Sequence, residues 1–290
     1  MKILSLVPNK GGDIPCKVSY FPDGQQDVTI HDSFMIQSVI SDKTPVKIIS
    51  RLNSFKDLEL IICATKALRG LGVKEVHLYV PYLLGARSDR RFVKGGTSYL
   101  RDVLAPIINS LEFESVSVLD PHSDVAEACI NNLHPISNKY FVKDALVDLN
   151  NKTQEGIVFV SPDAGAMKKI YSVVDHVHFR GEVLVCSKVR GLDGKILRTE
   201  IPLTSLEEKT YIVIDDICDG GRTFINIAEA IFKAHDGLPW KSKIYLIVTH
   251  GVFSAGFQTL KEHFDGIYCT NSYQEISEED SNFVKQINIW

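Results

Sequence analysis

The chain has 290 residues, 44% of them hydrophobic, and carries 32 basic against 36 acidic side chains for a net charge of -4. That length holds one large core or two medium ones, since domains run to about 100–200 residues. The charge balance excludes a general attraction for nucleic acid or an anionic membrane, so any phosphate binding has to be local.

In chain order, the opening Met1-Lys2-Ile3-Leu4-Ser5-Leu6-Val7-Pro8 is too short an apolar stretch for a signal peptide. No apolar run reaches the roughly 18–20 residues of a membrane span. The six cysteines, Cys16, Cys63, Cys129, Cys186, Cys218 and Cys269, form no C-x-x-C pair, and several lie in apolar runs. They fit small buried hydrophobes in a reducing cytosol, and a cytoplasmic protein is expected. From Val46 onward, β-rich runs alternate with longer amphipathic ones: strand Val46–Ile49, helix Leu58–Leu71, strand Glu75–Val80, helix Tyr99–Leu111, strand Ser115–Leu119. Gly70 and Gly72 supply the stop of the first helix. The second half repeats the rhythm, with strands near Ile157–Val160, Val183–Cys186, Tyr211–Ile214 and Ile244–Val248 and helices over Ala164–Val173 and Phe224–Ala234. Such alternation predicts two α/β halves, each a mainly parallel sheet flanked by helices. No low-complexity linker separates them, and the boundary is placed near residue 140, giving domains 1–140 and 141–290. The polar, glycine-containing segment Arg190–Glu208 reads as a mobile loop or hairpin over a site.

The chemistry concentrates at strand ends. Tyr211-Ile212-Val213-Ile214 runs into Asp215-Asp216, then Asp219-Gly220-Gly221-Arg222-Thr223 opens a helix. Glycines let backbone N–H groups close on a phosphate at a helix start, while the carboxylates suit ribose hydroxyls. Taken alone, the pattern is also that of a strand-turn-helix with Asp219 as N-cap. Asp120-Pro121-His122 and Ser161-Pro162-Asp163-Ala164-Gly165 close two other strands, and ligands of open α/β sheets gather at such carboxyl ends. Oxygen ligands there suit Mg2+, which takes few protein groups and completes its shell from phosphates and water. Arg87-Ser88-Asp89-Arg90-Arg91 follows a strand with three guanidinium forks suited to a triphosphate, or equally to a solvated charge run. Lys188 and Arg190, just before the polar segment, would neutralise charge on a transferred group or stand as two surface cations.

Together, and in this order over nearly the whole chain, these stretches resemble the ribose-phosphate diphosphokinases, the phosphoribosyl pyrophosphate synthetases. Phe21-Pro22-Asp23-Gly24-Gln25 resembles the family's F-x-D-G-E segment, which reaches into a neighbouring subunit's ATP site. Arg87 and Ser88 fall on the arginine-glutamine pair of A-R-Q-D-R-R, and Asp89 and Arg90 on the residues after it. His122 matches the D-L-H histidine and Asp163 the S-P-D-x-G aspartate, both used around magnesium. Lys188 and Arg190 match the K-x-R pair of the catalytic loop. Asp215, Asp216 and Asp219 to Thr223 match the ribose 5-phosphate loop, and Thr249-His250-Gly251-Val252-Phe253-Ser254 resembles a T-H-G-x-x-S stretch.

The resemblance implies two pseudo-symmetric phosphoribosyltransferase-like domains with the site between them, Mg2+ as cofactor, and a homo-oligomer of at least two chains. It implies transfer of the β,γ-diphosphate of ATP to the anomeric hydroxyl of a ribose 5-phosphate group, with release of AMP. Departures fall in the acceptor and adenine contacts. The phosphate loop has Gly220 and Arg222 where the family pattern D-T-G-G-T has threonine and glycine, Gln25 replaces a glutamate and Ser88 a glutamine. The stretch after His122 also differs. The acceptor is therefore ribose 5-phosphate or the larger ADP-ribose. A catalytically silent synthetase partner and a phosphoribosyltransferase are the alternatives. Retention of His122, Asp163, Lys188 and Arg190 weighs against the first, and the ATP-side segments weigh against the second.

Overall fold

The computed structural model describes all residues except 32–33, 151–155, 191–195, 204–208 and 235–241. Contacts divide the chain into two compact units, Met1–Ser137 and Asn138–Trp290. Each contains a parallel sheet with helical connections and one antiparallel hairpin.

The first unit contains strands β1 (Lys2–Ser5), β2 (Cys16–Tyr20), β3 (Gln26–Ile30), β4 (Val46–Ile49), β5 (Val76–Tyr79), β6 (Ser115–Leu119) and β7 (Leu133–Ile136). Its helices are α1 (Phe34–Ser41), α2 (Phe55–Gly70), α3 (Ala105–Asn109) and α4 (Val125–Cys129). The sheet adds strands in chain order, β1-β4-β5-β6-β7, every pair parallel, while β2 and β3 form the hairpin. Helix α2 begins three residues before the expected Leu58 because a capping box starts it. Asp57 Oδ2 accepts from the Ser54 N–H at 2.8 Å, and Ser54 Oγ accepts from the Asp57 N–H. Leu58, Ile61, Ala64 and Leu68 form its buried stripe. Gly72, at φ 99°, ends it, with the Val73 N–H closing on Leu68 O. The helix expected over Tyr99–Leu111 opens as a π-helical turn, Leu100–Leu104. Pro106 has no N–H for an i→i−4 bond, and the Ala105 N–H reaches back to Leu100 O instead.

The second unit contains α5 (Lys139–Asn150), β8 (Gly156–Ser161), α6 (Met167–Val177), β9 (Glu182–Val185), β10 (Ser187–Arg190), β11 (Ile196–Glu200), β12 (Lys209–Cys218), α7 (Arg222–Ala234), β13 (Lys243–Gly251), α8 (Gln258–Lys261), β14 (Gly266–Thr270) and β15 (Val284–Ile287). The sheet order is β15-β14-β13-β12-β8-β9, all parallel. Strand β9 is added on one side of β8 and β12 on the other, so the order reverses between β8 and β12. That reversal is a topological switch point, where open α/β sheets leave a crevice at the strands' carboxyl ends. Strand β12 is buried on both faces and therefore reads as a continuous apolar run rather than an alternating one. Tyr211 and Val213 pack with Ile227 and Ile231 of α7, while Ile212 and Ile214 pack with Ile170 and Val173 of α6. The helix expected from Ala164 opens as a 3-10 turn, Ala164–Ala166, before α6 runs on to Val177. Among the described residues no helix is long and apolar enough to cross a membrane.

Candidate active site

In the second unit, Asp163 follows β8, and Asp215 and Asp216 stand near the end of β12, on the two strands that flank the switch point. Asp163 folds back as an N-cap, its Oδ1 accepting from the Gly165 and Ala166 N–H groups at 3.0 and 3.2 Å. Asp216 is buried and its Oδ2 lies 3.3 Å from Lys169 Nζ of α6. Asp215 Oδ1 accepts from the Asp216 N–H at 2.9 Å. Loss of water, then the neighbouring Asp216 charge and the more distant Asp163, push the Asp215 carboxyl well above the ordinary range. The strand end thus gathers more negative charge than its own surroundings favour. Burial and the charges of Asp215 and Asp219 also push the Cys218 thiol up, which keeps it protonated and unreactive.

The glycine loop lies directly after β12. Gly221 has φ +80°, and a Cβ there would meet Leu260 at 3.0 Å, so position 221 requires glycine. Gly220 is different: a Cβ would meet only Ser254 Oγ at 3.8 Å and Ala255 Cβ at 4.0 Å. Helix α7 starts at Arg222, whose side chain is exposed. Asp219 is not its N-cap. Two residues separate it from the helix, and its Oδ1 accepts from Ser254 Oγ at 2.6 Å. Lys188 and Arg190 stand on β10, paired antiparallel with β11 so that Lys188 faces Thr199 in register. Their side chains lie outside the described residues. Within the polar segment Arg190–Glu208, Arg190 and Ile196–Glu200 belong to the β10–β11 antiparallel pair, 201–203 lie in neither strand, and 191–195 and 204–208 are outside the described residues.

In the first unit, the Phe21–Gln25 segment is the turn of the β2–β3 hairpin. The Phe21 N–H donates to Gln25 O at 2.9 Å, Gly24 takes φ +94°, and the Gln25 N–H donates to Asp23 Oδ1 at 3.2 Å. Tyr20 and Phe21 are exposed at 73% and 47%. The strand behind the turn is bolted to α2, with Gln26 Nε2 donating to Lys56 O at 2.8 Å and Glu59 Oε2 at 3.0 Å. The arginine segment follows β5 as a tight turn. Gly85 has φ +71° with the Tyr99 ring 2.3 Å from where a Cβ would stand, and the Ser88 N–H donates to Gly85 O at 2.8 Å. Arg87 is exposed, while Arg90 lies beside Asp89 at 3.3 Å and over the Phe92 ring at 5.7 Å. Arg91 pairs with Asp102, whose carboxyl is held down to about 2 chiefly by the Ser98 N–H and then by Arg101. His122 is exposed in the loop after β6, two residues past Asp120, which is buried at φ 44°. Lys169 and Ser123 are neighbours of these residues that no sequence motif singled out, and Ser254, the last residue of the Thr249–Ser254 stretch, is a neighbour whose contact with Asp219 the motif does not reveal.

No protein-family model matches the chain. The ribose-phosphate pyrophosphokinase of Thermosipho africanus is 27% identical over 253 residues, covering 83% of this chain and 72% of that protein. That of Thermoplasma volcanium is 24% identical over 287 residues, covering 92% and 89%. The chain is a homologue of the ribose-phosphate pyrophosphokinases. The crystal structure of phosphoribosylpyrophosphate synthetase from Mycobacterium smegmatis matches 95% of this chain and 86% of its own at a TM-score of 0.76 and 18% identity, a likeness of fold.

Set against the ribose-phosphate pyrophosphokinase pattern quoted above, the departures fall at places that tolerate them. Gly220 occupies a position with room for a side chain, and Arg222 stands where its guanidinium meets solvent. Gln25 and Ser88 both lie in turns held by backbone hydrogen bonds. Among the described residues, no three His, Cys, Asp or Glu side chains are grouped to hold a metal. An ion that takes one or two carboxylates here and the rest from phosphate and water suits this surplus of hard oxygen donors, and Mg2+ is such an ion.

Proposed function

We propose that the protein is a diphosphokinase that moves the β,γ-diphosphate of ATP to the anomeric hydroxyl of a ribose 5-phosphate group and releases AMP. The observation that carries this reading is the switch point between β8 and β12: Asp163 follows β8, and Asp215, Asp216 and the Asp219–Thr223 loop stand at and after the end of β12. Homology to ribose-phosphate pyrophosphokinases supports it.

In this reading Asp215 and Asp216 orient the ribose hydroxyls, while the backbone of Asp219 to Thr223 and the start of α7 receive the 5-phosphoryl group. Phe21, Asp23, Gln25, Arg87, Ser88, Asp89 and Arg90 bind ATP. Lys188 and Arg190 stabilise charge on the phosphoryl group in transfer. Mg2+ would supply charge neutralisation for the triphosphate, with His122 in the first unit and Asp163 in the second as its candidate ligands. Positioning and charge then do most of the catalysis, because such a transfer demands little covalent chemistry from the protein. The Phe21–Gln25 turn serves a neighbouring subunit, so the active species is at least a dimer, and it works in the cytoplasm.

The acceptor is ADP-ribose in preference to ribose 5-phosphate. Gly220 lacks the hydroxyl that would bond a terminal phosphate dianion, and Arg222 sits at the outer edge of the loop, where a second phosphate would lie. The deciding experiment incubates purified protein with ATP, Mg2+ and each acceptor and resolves the nucleotide product by chromatography. AMP with an acid-labile diphosphorylated sugar is expected. ADP in its place overturns the reading.

A further inference from the structure

The turn Gly251–Gly256, which follows β13, is built against the glycine loop by contacts that sequence motifs do not reveal. Ser254 Oγ donates to Asp219 Oδ1 at 2.6 Å. The Val252 and Phe253 N–H groups both donate to Cys218 O, at 2.9 and 3.1 Å. Phe253 takes a left-handed φ of 49°, uncommon for a bulky residue, with its ring buried where a Cβ on Gly251 would come within 2.2 Å. The same ring packs against Phe257 at 4.8 Å. A strained turn locked by two hydrogen bonds and an aromatic pair is a rigid support. What it presents to the loop is one exposed hydroxyl, on the Gly220 side.

We propose that Ser254 is a positioning residue for the acceptor: its hydroxyl fixes the Asp219 carboxylate so that the Gly220–Gly221 backbone stays open to an anionic group. The inference rests on the function proposed above. Without the hydroxyl, the Asp219 carboxylate loses this restraint on its Oδ1, and its negative charge competes more strongly with an incoming phosphoryl group for the same N–H donors. The turn gains nothing in stability from this contact beyond one exposed hydrogen bond. Its consequence is for binding.

The test is steady-state AMP formation by the wild type, Ser254→Ala and Ser254→Thr, with ribose 5-phosphate and ADP-ribose as acceptors. Ser254→Ala is expected to raise KM for the preferred acceptor by about 5–10-fold, the scale of a hydrogen bond to a charged group partly shared with water. It is expected to leave kcat and KM for ATP within about twofold, and Ser254→Thr restores the wild-type KM. Unchanged acceptor KM overturns the proposal, as does a loss spread equally over both substrates with a lowered Tm. If the wild type forms no AMP with either acceptor, the proposed function fails, and the support is judged by 31P NMR titration with inorganic phosphate. Weaker phosphate binding by Ser254→Ala than by the wild type upholds it. Equal binding, or none to either protein, overturns it.

Discussion

Ser123 donates its hydroxyl hydrogen to Asp89 Oδ2 across 2.8 Å, fastening the arginine turn after β5 to the loop that carries His122. The Asp89 side chain is only 7% exposed, and its other oxygen lies 3.3 Å from Arg90 Nε. Asp89 therefore sets the shape of the turn that presents Arg87 and Arg90. Ser123→Ala is expected to raise KM for ATP by about 3–10-fold, the scale of one ordinary intramolecular hydrogen bond. KM for the acceptor should not move. Equal change in both constants would contradict a role confined to the nucleotide side.

The two loop glycines respond differently to substitution. Gly221→Ala places a Cβ at positive φ and within 3.0 Å of Leu260, and about 1–2 kcal/mol of stability is expected to be lost. Gly220→Ala meets nothing closer than 3.8 Å and should leave the denaturation midpoint unchanged. Urea melts of the two variants compare them directly. For the same reason Gly220→Thr should fold, and combined with Arg222→Gly it is expected to move kcat/KM toward ribose 5-phosphate and away from ADP-ribose.

Asp215 couples function to stability with a definite sign. Its carboxyl is raised in the folded state by burial and by Asp216, so the unfolded chain ionises first as pH rises. Stability from this group is whole below the unfolded carboxylate pKa, near 4, and is lost as pH climbs from there to the raised folded value. Asp215→Asn removes the loss. The variant should melt a few degrees above the wild type at pH 7, the gap should close toward pH 4, and activity should fall. A variant less stable than the wild type at pH 7 would mean that Lys169 and other partners offset the charge in full.

Lys188→Ala and Arg190→Ala should each lower kcat by about 10²–10³-fold, the loss seen when a donor to transition-state charge is removed. Rapid-quench measurement of AMP in a single turnover separates that effect from product release. Unchanged rates in both variants would take β10 out of the mechanism.

Much of the fold was legible because its causes are local. Strands at Val46–Ile49 and Ser115–Leu119 coincide with their apolar runs, and the stop of α2 was written in Gly72. The start of α2 was missed because its box uses Asp57 where a longer acid is the familiar signal. Strand β1 was passed over as a short apolar stretch, and β15 lay in a polar tail whose pairing with β14 is decided by tertiary contact. At the candidate site, the acids and glycines stand out in the sequence by type and order. The contacts that support them do not: Lys169 meets Asp216 across 47 residues, Ser123 meets Asp89 across 34, and Ser254 meets Asp219 across 35. No spacing rule operates at such separations.

The attachment of Gln26 to α2 has a mechanical consequence for the hairpin that ends in Tyr20 and Phe21. Its amide bonds to Lys56 O, a carbonyl in the first turn of α2, and that turn keeps its form through the Ser54–Asp57 pair. Two residues that lie away from the hairpin tip therefore help to aim it. An arm braced at its root surrenders little conformational freedom when a surface closes on its two exposed rings, so affinity there is spared much of the entropy that ordering a loose loop would consume. Fraying the start of α2 would blunt that advantage while leaving both aromatic side chains in place.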